Sequence, residues 1–551
     1  MTRSFLFSTI AFLMLGGLLW AGLTTPAQGQ TLTDVIRYSE HLPASGGPVA
    51  GRAGAGLSAG IAASEALFGN PAGLGWMSSS AIGGDFAINR TQSDTRFTTP
   101  DATASSERTV SDYRFGSLGG AYSFPTTRGS LVLGISFHQS NTYDRGFDVA
   151  GVNETNSITG TFLPASNGYE VAGKDLIFDS RRSRIAYEAG VIDFSRSVYN
   201  NGNYPFFQGA NPNSEAAAGE MTLDQQENLT ESGQMNELSF GMATAIAPNV
   251  MLGGGLNAAF GSYTFERFYR ETEASGLLPP EDPQNPQPPY DPYLLEGTSL
   301  EGFDEMQLDE RIDTDLSGVN FRVGLSAKAT DALRVGVHAE SPTWLTVNEV
   351  YGTEMQTQFD CDFSLNTPCP QGGVEGFSSG NLTGNEFTYD IRTPWRVGSG
   401  LQLSMAGLTL AGGATLIDWT QAEISADDAS FTTLNRDLEN LDATVNTRVG
   451  LEFSSDAFAL RAGAAYQPSP TDRSFQDIDG NTVGGDQFFL SAGASVSISE
   501  NSTLHLNWLQ ERFDDRYLLY EADGPFTRGD PPTVREALRR SRFLIGLTYQ
   551  P

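Results

Sequence analysis

The side chains able to do chemistry are few and far apart in this chain. Its four histidines, His41, His138, His338 and His505, share no local motif. The last three fall on the polar parity of alternating segments, where an inward-facing polar filler is the expected role. A Ser-His-Asp site is defined by geometry, which spacing in sequence does not supply. Asp477-Ile-Asp479-Gly480-Asn481 opens like half of a calcium loop, but no bidentate Glu follows at the required spacing, so an acidic turn is expected. The only cysteines, Cys361 and Cys369, sit close together in a polar stretch. In an exported protein such a pair is most simply a disulfide that pins a loop; metal binding is the weaker alternative, because no His lies nearby. No catalytic residue, cofactor or metal follows from these groups, and an enzyme is not expected.

A second kind of chemistry is the capture of apolar molecules. Tyr187, Val191, Phe194 and Val198 are spaced four, three and four, as on one helix face. They follow Leu176-Ile177-Phe178 and precede Tyr204-Pro-Phe206-Phe207. Two readings stay open. These groups pack a long loop onto the rest of the protein, or they form a groove for an acyl chain, where each buried methylene contributes about 0.8 kcal/mol.

The elements that must position these groups are read from periodicity. In Val319-Asn-Phe321-Arg-Val323-Gly-Leu325-Ser-Ala327-Lys328, apolar residues hold one parity and Asn320, Arg322, Ser326 and Lys328 the other. Side chains alternate across a strand, so one face meets an apolar medium and the other a polar one. The pattern recurs to Tyr549 and predicts fourteen strands near residues 79–91, 111–124, 129–143, 234–247, 250–269, 304–328, 332–356, 384–404, 407–424, 440–454, 457–468, 485–498, 502–520 and 537–549. Links after even strands are short, as at Pro248-Asn249 and Thr330-Asp331. Those after odd strands are long and include residues 144–233, 271–303 and 357–383. An even count with that asymmetry predicts an all-β transmembrane antiparallel barrel occupying residues 79–551, with short periplasmic turns and long outer loops.

Residues 1–29 read as a secretory signal, since Arg3 precedes an apolar stretch from Ile10 to Trp20 and a small-residue exit at Ala27-Gln28-Gly29. That stretch is short for a helical span, and no Cys follows it for lipid attachment. The chain carries 66 acidic against 33 basic residues, a formal net charge of -33. Phosphate backbones need Lys and Arg, so a nucleic-acid partner is excluded; a saline habitat would suit so acidic a surface. Residues 30–78 are too many for a tail, and Ile61, Leu67, Phe68, Leu74 and Trp76 need burial. A plug inside the lumen is expected, with Asn70-Pro71-Ala72 ending a short helical stretch.

Three stretches resemble the FadL-type outer-membrane transporters of long-chain fatty acids and other hydrophobic compounds. They are Arg52-Ala-Gly-Ala-Gly-Leu57 followed by Glu65-Ala-Leu-Phe-Gly-Asn70-Pro71-Ala72-Gly73-Leu74; Gly318–Leu325 with Leu333–Pro342; and Thr393-Pro394-Trp395-Arg396-Val397-Gly398 with Ile417-Asp-Trp419-Thr420. The opening Leu32–Ser39 resembles the mature start of a branch found in Bacteroidota-like bacteria. The resemblance implies a fourteen-strand barrel closed by an N-terminal hatch that includes Asn70, Pro71 and Ala72. It also implies passive uptake of a hydrophobic small molecule: capture by outer loops, an apolar pocket, then lateral exit into the bilayer through a gap in the wall. A monomer embedded in outer-membrane lipid is expected. Rival readings are a FadL-like secretion-accessory or structural barrel holding a protein cargo, a general porin, and an outer-membrane hydrolase.

Overall fold

The computed structural model describes residues 32–99, 102–127, 129–154, 157–162, 169–172, 175–178, 180–189, 191–194, 207–209, 222–274, 303–360, 375–427, 429–471, 485–520 and 531–551. The leader, both cysteines, the acidic turn at Asp477–Asn481, Val198 and Phe206 lie outside these residues.

Fourteen antiparallel staves form the wall. They are β1 (Ala81–Thr98), β2 (Thr103–Phe124), β3 (Leu131–Thr142, continued as Arg145–Asn153), β4 (Leu223–Ala247), β5 (Val250–Glu273) and β6 (Phe303–Lys328). Next come β7 (Leu333–Glu340, continued as Trp344–Asp360), β8 (Glu375–Arg392, continued as Arg396–Met405) and β9 (Leu408–Asp418, continued as Glu423–Ser425). Last are β10 (Ala443–Ser454), β11 (Phe458–Gln467), β12 (Gln487–Ser499), β13 (Ser502–Leu518) and β14 (Thr533–Tyr549). Each stave pairs with its neighbours in sequence, and β1 pairs with β14 from Ile82↔Tyr549 to Thr98↔Thr533, so the sheet closes.

The alternation is what sets inside from outside. Val319, Phe321, Val323 and Leu325 are exposed on the outer face, whereas Asn320, Arg322 and Ser326 between them are buried. Every stave adds exposed apolar side chains to the same belt, among them Leu256, Leu401, Val449, Val496 and Ile545. Such a belt is stable against hydrocarbon and costly against water. The closed sheet also satisfies its backbone polar groups without water, which a bilayer demands. The protein is therefore an outer-membrane β-barrel.

Two expectations are corrected. The staves run well past the ranges read from periodicity: β1 reaches Thr98 rather than 91, and β4 begins at Leu223 rather than 234. A span needs only about 9–11 residues, so β6, at 26 residues, stands far out of the membrane. There both faces are wet, the parity signal disappears, and the hydrogen-bond ladder continues without it. The link between β1 and β2 shrinks accordingly to residues 99–102.

The second correction concerns the four residues spaced as one helix face. The helix spans only Arg181–Glu188 and carries Tyr187 alone. Val191 lies beyond it and Phe194 ends a short strand, Ile192–Phe194. The Val191 N–H bonds to the Ala186 carbonyl, 2.8 Å away, the six-to-one closure that ends a helix.

A closed sheet has no edge from which to unravel. Unboiled protein is expected to run faster on a detergent gel than boiled protein. Identical mobility would contradict the closed barrel.

Candidate functional site

The N-terminal residues are held by inward-facing side chains on all sides of the barrel. Helix α1 (Leu32–Ser39) places Asp34 in its first turn and Arg37 in its last, the arrangement its dipole favours. Arg37 bonds Glu231 of β4 at 3.2 Å, and its guanidinium lies 4.5 Å over the Tyr263 ring of β5. Further round the wall, Arg448 of β10, Gln467 of β11, Asn507 of β13 and Arg542 of β14 donate to the carbonyls of Pro43, His41, Gly47 and Ser45. On β1, Asp85 accepts from the Gly47 N–H at 2.7 Å. Residues 37–47 are thus tied to staves β1, β4, β5, β10, β11, β13 and β14.

Asn70 is the tightest of these ties. Its side-chain amide donates to the carbonyls of Ser58, Leu325 and Val337 at 2.9, 2.9 and 3.2 Å, and its oxygen accepts from the Ala72 N–H at 3.1 Å. One fully buried amide thus joins two parts of the segment to β6 and β7. Gly324 permits the approach, since a Cβ there would fall 2.0 Å from the Asn70 Oδ1. Pro71 begins a 3₁₀ turn, Pro71–Trp76, where a missing N–H costs nothing.

Charge is concentrated beneath α1. Arg322 of β6 is wholly buried; it bonds Glu237 of β4 at 2.8 Å through Nη2, Glu340 of β7 at 2.9 Å, and the Leu67 carbonyl at 3.0 Å. Arg396 of β8 reaches the Ser39 carbonyl. His41 Nδ1 stands 3.9 Å from Glu340. Burial pushes the His41 imidazole down to about 3, so at neutral pH that approach is not an ion pair. Burial likewise pushes the Glu40 and Glu65 carboxyls up to about 7.

Near the membrane, the wall between β2 and β3 is interrupted among the described residues. The ladder between β2 and β3 runs from Phe124↔Leu131 to Ser117↔His138 and stops there. Above it β3 stays with β4, with a register shift between Gln139 and Asn141, so β3 swings away from β2. The bend sits opposite Gly233 of β4, whose φ is +135° and where a Cβ would lie 2.1 Å from the Ser262 carbonyl oxygen. The Tyr143 N–H bonds to the Gly233 carbonyl at 3.1 Å, and Asn141 caps the Thr142 N–H at 2.9 Å. Among the described residues, the hydrogen bonds across the opening come from side chains. Arg114 bonds Asp144 at 2.8 Å and the Gly233 carbonyl at 2.7 Å, and Arg108 bonds Thr230 at 2.9 Å. On the outer face beside it, Tyr113 and Phe115 are 66% and 68% exposed, more than most belt residues.

Above the N-terminal segment lies an apolar cluster. Phe97, Tyr269, Leu308, Met355 and Val534 from the wall surround Ile158, Phe162, Ile185 and Val191 from the link between β3 and β4. Of the residues expected to bind an apolar ligand, Val191 is buried in this cluster, and Phe178 and Tyr187 pack against it with their rings 5.4 Å apart. Leu176 and Ile177 lie in a short hairpin, Tyr169–Ala172 with Asp175–Phe178. Phe194 and Phe207 are cross-strand partners in another. Among the described side chains, the structure therefore brings Phe178, Tyr187 and Val191 together. Sequence reasoning missed Arg108, Arg114, Tyr113, Phe115 and Gly233. The glycine, breaking an otherwise regular polar strand, is the one signal that could have marked the bend.

No protein-family model matches the chain, and no curated protein matches it. Among solved structures, a FadL homologue of Pseudomonas aeruginosa is 14% identical, covers 93% of this chain and 99% of its own, and superposes with a TM-score of 0.50. The P. putida toluene transporter TodX is 11% identical over 93% of this chain and 99% of its own, with a TM-score of 0.46. The chain thus shares its barrel fold with the P. aeruginosa FadL homologue.

Proposed function

We propose that the protein is an outer-membrane channel for passive uptake of hydrophobic compounds such as long-chain fatty acids. Residues 30–78 act as its hatch, and the ligand leaves sideways between β2 and β3. The observation that carries this reading is a wall whose β2–β3 ladder stops at Ser117↔His138, and the bonds from Asn70 and Ser45 to β6, β7 and β14 support the hatch. An apolar molecule is stabilised along apolar surfaces and disfavoured in a watery axial pore, so a blocked axis with a lateral opening suits it. In this account Phe178, Tyr187 and Val191 belong to the capture surface under the outer loops, and Tyr113 and Phe115 flank the exit. The opening Leu32–Ser39 supports assignment to a Bacteroidota-like branch of such transporters.

Uptake of oleate and of toluene by cells lacking their own transporter tests the route. Val110→Trp places a large ring on the unpaired stretch of β2, and uptake of both probes is expected to fall by roughly tenfold, because an aromatic of that bulk fills the space of the missing neighbour. Val110→Ala should leave uptake unchanged. Undiminished uptake through a heat-modifiable Val110→Trp barrel would refute lateral exit.

A further inference from the structure

On a chain with net charge -33, six of the 33 basic residues crowd onto one outer face. Arg90 and Arg96 of β1, Arg512 and Arg516 of β13, and Arg535 and Arg539 of β14 all occupy the outward parity and are exposed. The strand register places them in tiers. Ile88, Phe543 and Trp508 stand side by side as the last apolar row of the belt. Next comes Arg90 beside Ser541 and Gln510, then Arg539 between Gln92 and Arg512. Beyond a row of Asp94, Ala537 and Asp514, Arg96, Arg535 and Arg516 lie directly opposite one another across three staves.

Like charges directly opposite on one sheet face repel, so a row of three arginines weakens the bare barrel. Little on the protein offsets it. Asp94 pairs with Arg539 at 3.3 Å, Arg512 bonds the Gln510 amide oxygen, and among the described residues Asp514, Asp486 and Glu107 are the other nearby carboxylates. Among the described residues no carboxylate lies within salt-bridge distance of Arg90, Arg96, Arg516 or Arg535.

Height above the belt indicates the missing partner. The tiers sit on the side of the long β13–β14 link, the outer end of the barrel. At about 3.4 Å per residue and a tilt of about 40°, the Arg539 tier stands roughly 10 Å above Phe543 and the Arg535 tier roughly 20 Å. Those are the heights of lipid headgroups and of the sugars next to them. Neighbouring staves are about 4.8 Å apart, so the tier of Arg96, Arg535 and Arg516 presents a forked donor array about 10 Å wide. Guanidinium groups bind phosphate oxygens in pairs.

We propose that this arginine face of β13, β14 and β1 binds the phosphate groups of the outer leaflet's phosphorylated glycolipid, seating the barrel in the membrane at this side. The proposal is independent of what the channel carries.

The test uses full-length protein in detergent, a fluorescent rough lipopolysaccharide, the same lipopolysaccharide after enzymatic dephosphorylation, and inorganic phosphate as competitor. Wild type is expected to bind the phosphorylated form at least about tenfold more tightly than the dephosphorylated form, and R96Q/R516Q/R535Q should lose that difference while R311Q, whose arginine is already paired with Glu266 and Asp313, keeps it. Millimolar phosphate should not displace the lipid. A triple variant that binds like wild type would overturn the proposal, as would equal affinity for both lipid forms. Competition by phosphate at equal affinity would mean an adventitious ion only, and dimers lost in the triple variant would assign the face to a second copy instead. A heat-modifiable band on a gel confirms that each variant is folded.

Discussion

Arg322→Ala is expected to loosen residues 32–77 and to lower the temperature at which the barrel band shifts on a gel. The guanidinium is wholly buried and bonded to Glu237, Glu340 and the Leu67 carbonyl, so its removal strips the nearest cation from two buried carboxylates and leaves Glu340 with Arg396 at 3.9 Å. Breaking a buried ion cluster by removing one partner costs about 3–5 kcal/mol, far more than a surface substitution. Hydrogen exchange should rise first at Leu67 and its neighbours. Adding Glu237→Gln to Arg322→Met should restore part of the loss, because it removes one uncompensated charge. Unchanged exchange in Arg322→Ala would mean that the cluster does not hold the segment.

The wall was legible wherever one face meets lipid. All fourteen staves were found from parity alone, because hydrocarbon on one side and a packed lumen on the other impose opposite demands on alternate residues. Legibility ended at the membrane boundary. The outer half of β4, Leu223–Gly233, carries Gln, Glu, Asn and Thr in a run that reads as loop until its partners are known. The bend in β3 was hidden for a different reason. His138-Gln139-Ser140-Asn141 looks like ordinary polar strand, and its departure from β2 depends on Gly233, brought alongside only by folding. The pair Tyr187 and Val191 misled because a four-residue spacing fits a helix as well as a closure one turn past its end. By contrast the arginine tiers follow from parity once register is known, since Arg535 and Arg539 share the face of Phe543.

Deleting residues 31–70 is expected to have the largest effect of any change considered. The deleted stretch includes α1, whose Leu32, Val35 and Ile36 pack with Leu316, Leu345, Val347 and Tyr389 of the wall. It also removes Asn70, which ties the segment to β6 and β7. A fourteen-stave barrel stripped of that filling retains a lumen lined by Arg322, Arg396, Arg448 and Arg542 and by the carboxylates between them, a surface that water and ions will enter. The staves themselves keep their hydrogen-bond ladder, so the variant should still migrate as a folded barrel.

Planar-bilayer conductance of the full-length protein against this deletion tests most directly the claim that the axis is blocked and the route is lateral. The full-length form should be nearly silent and the deletion should give large, steady openings. Large, steady conductance from the full-length protein would contradict the account and favour a general porin.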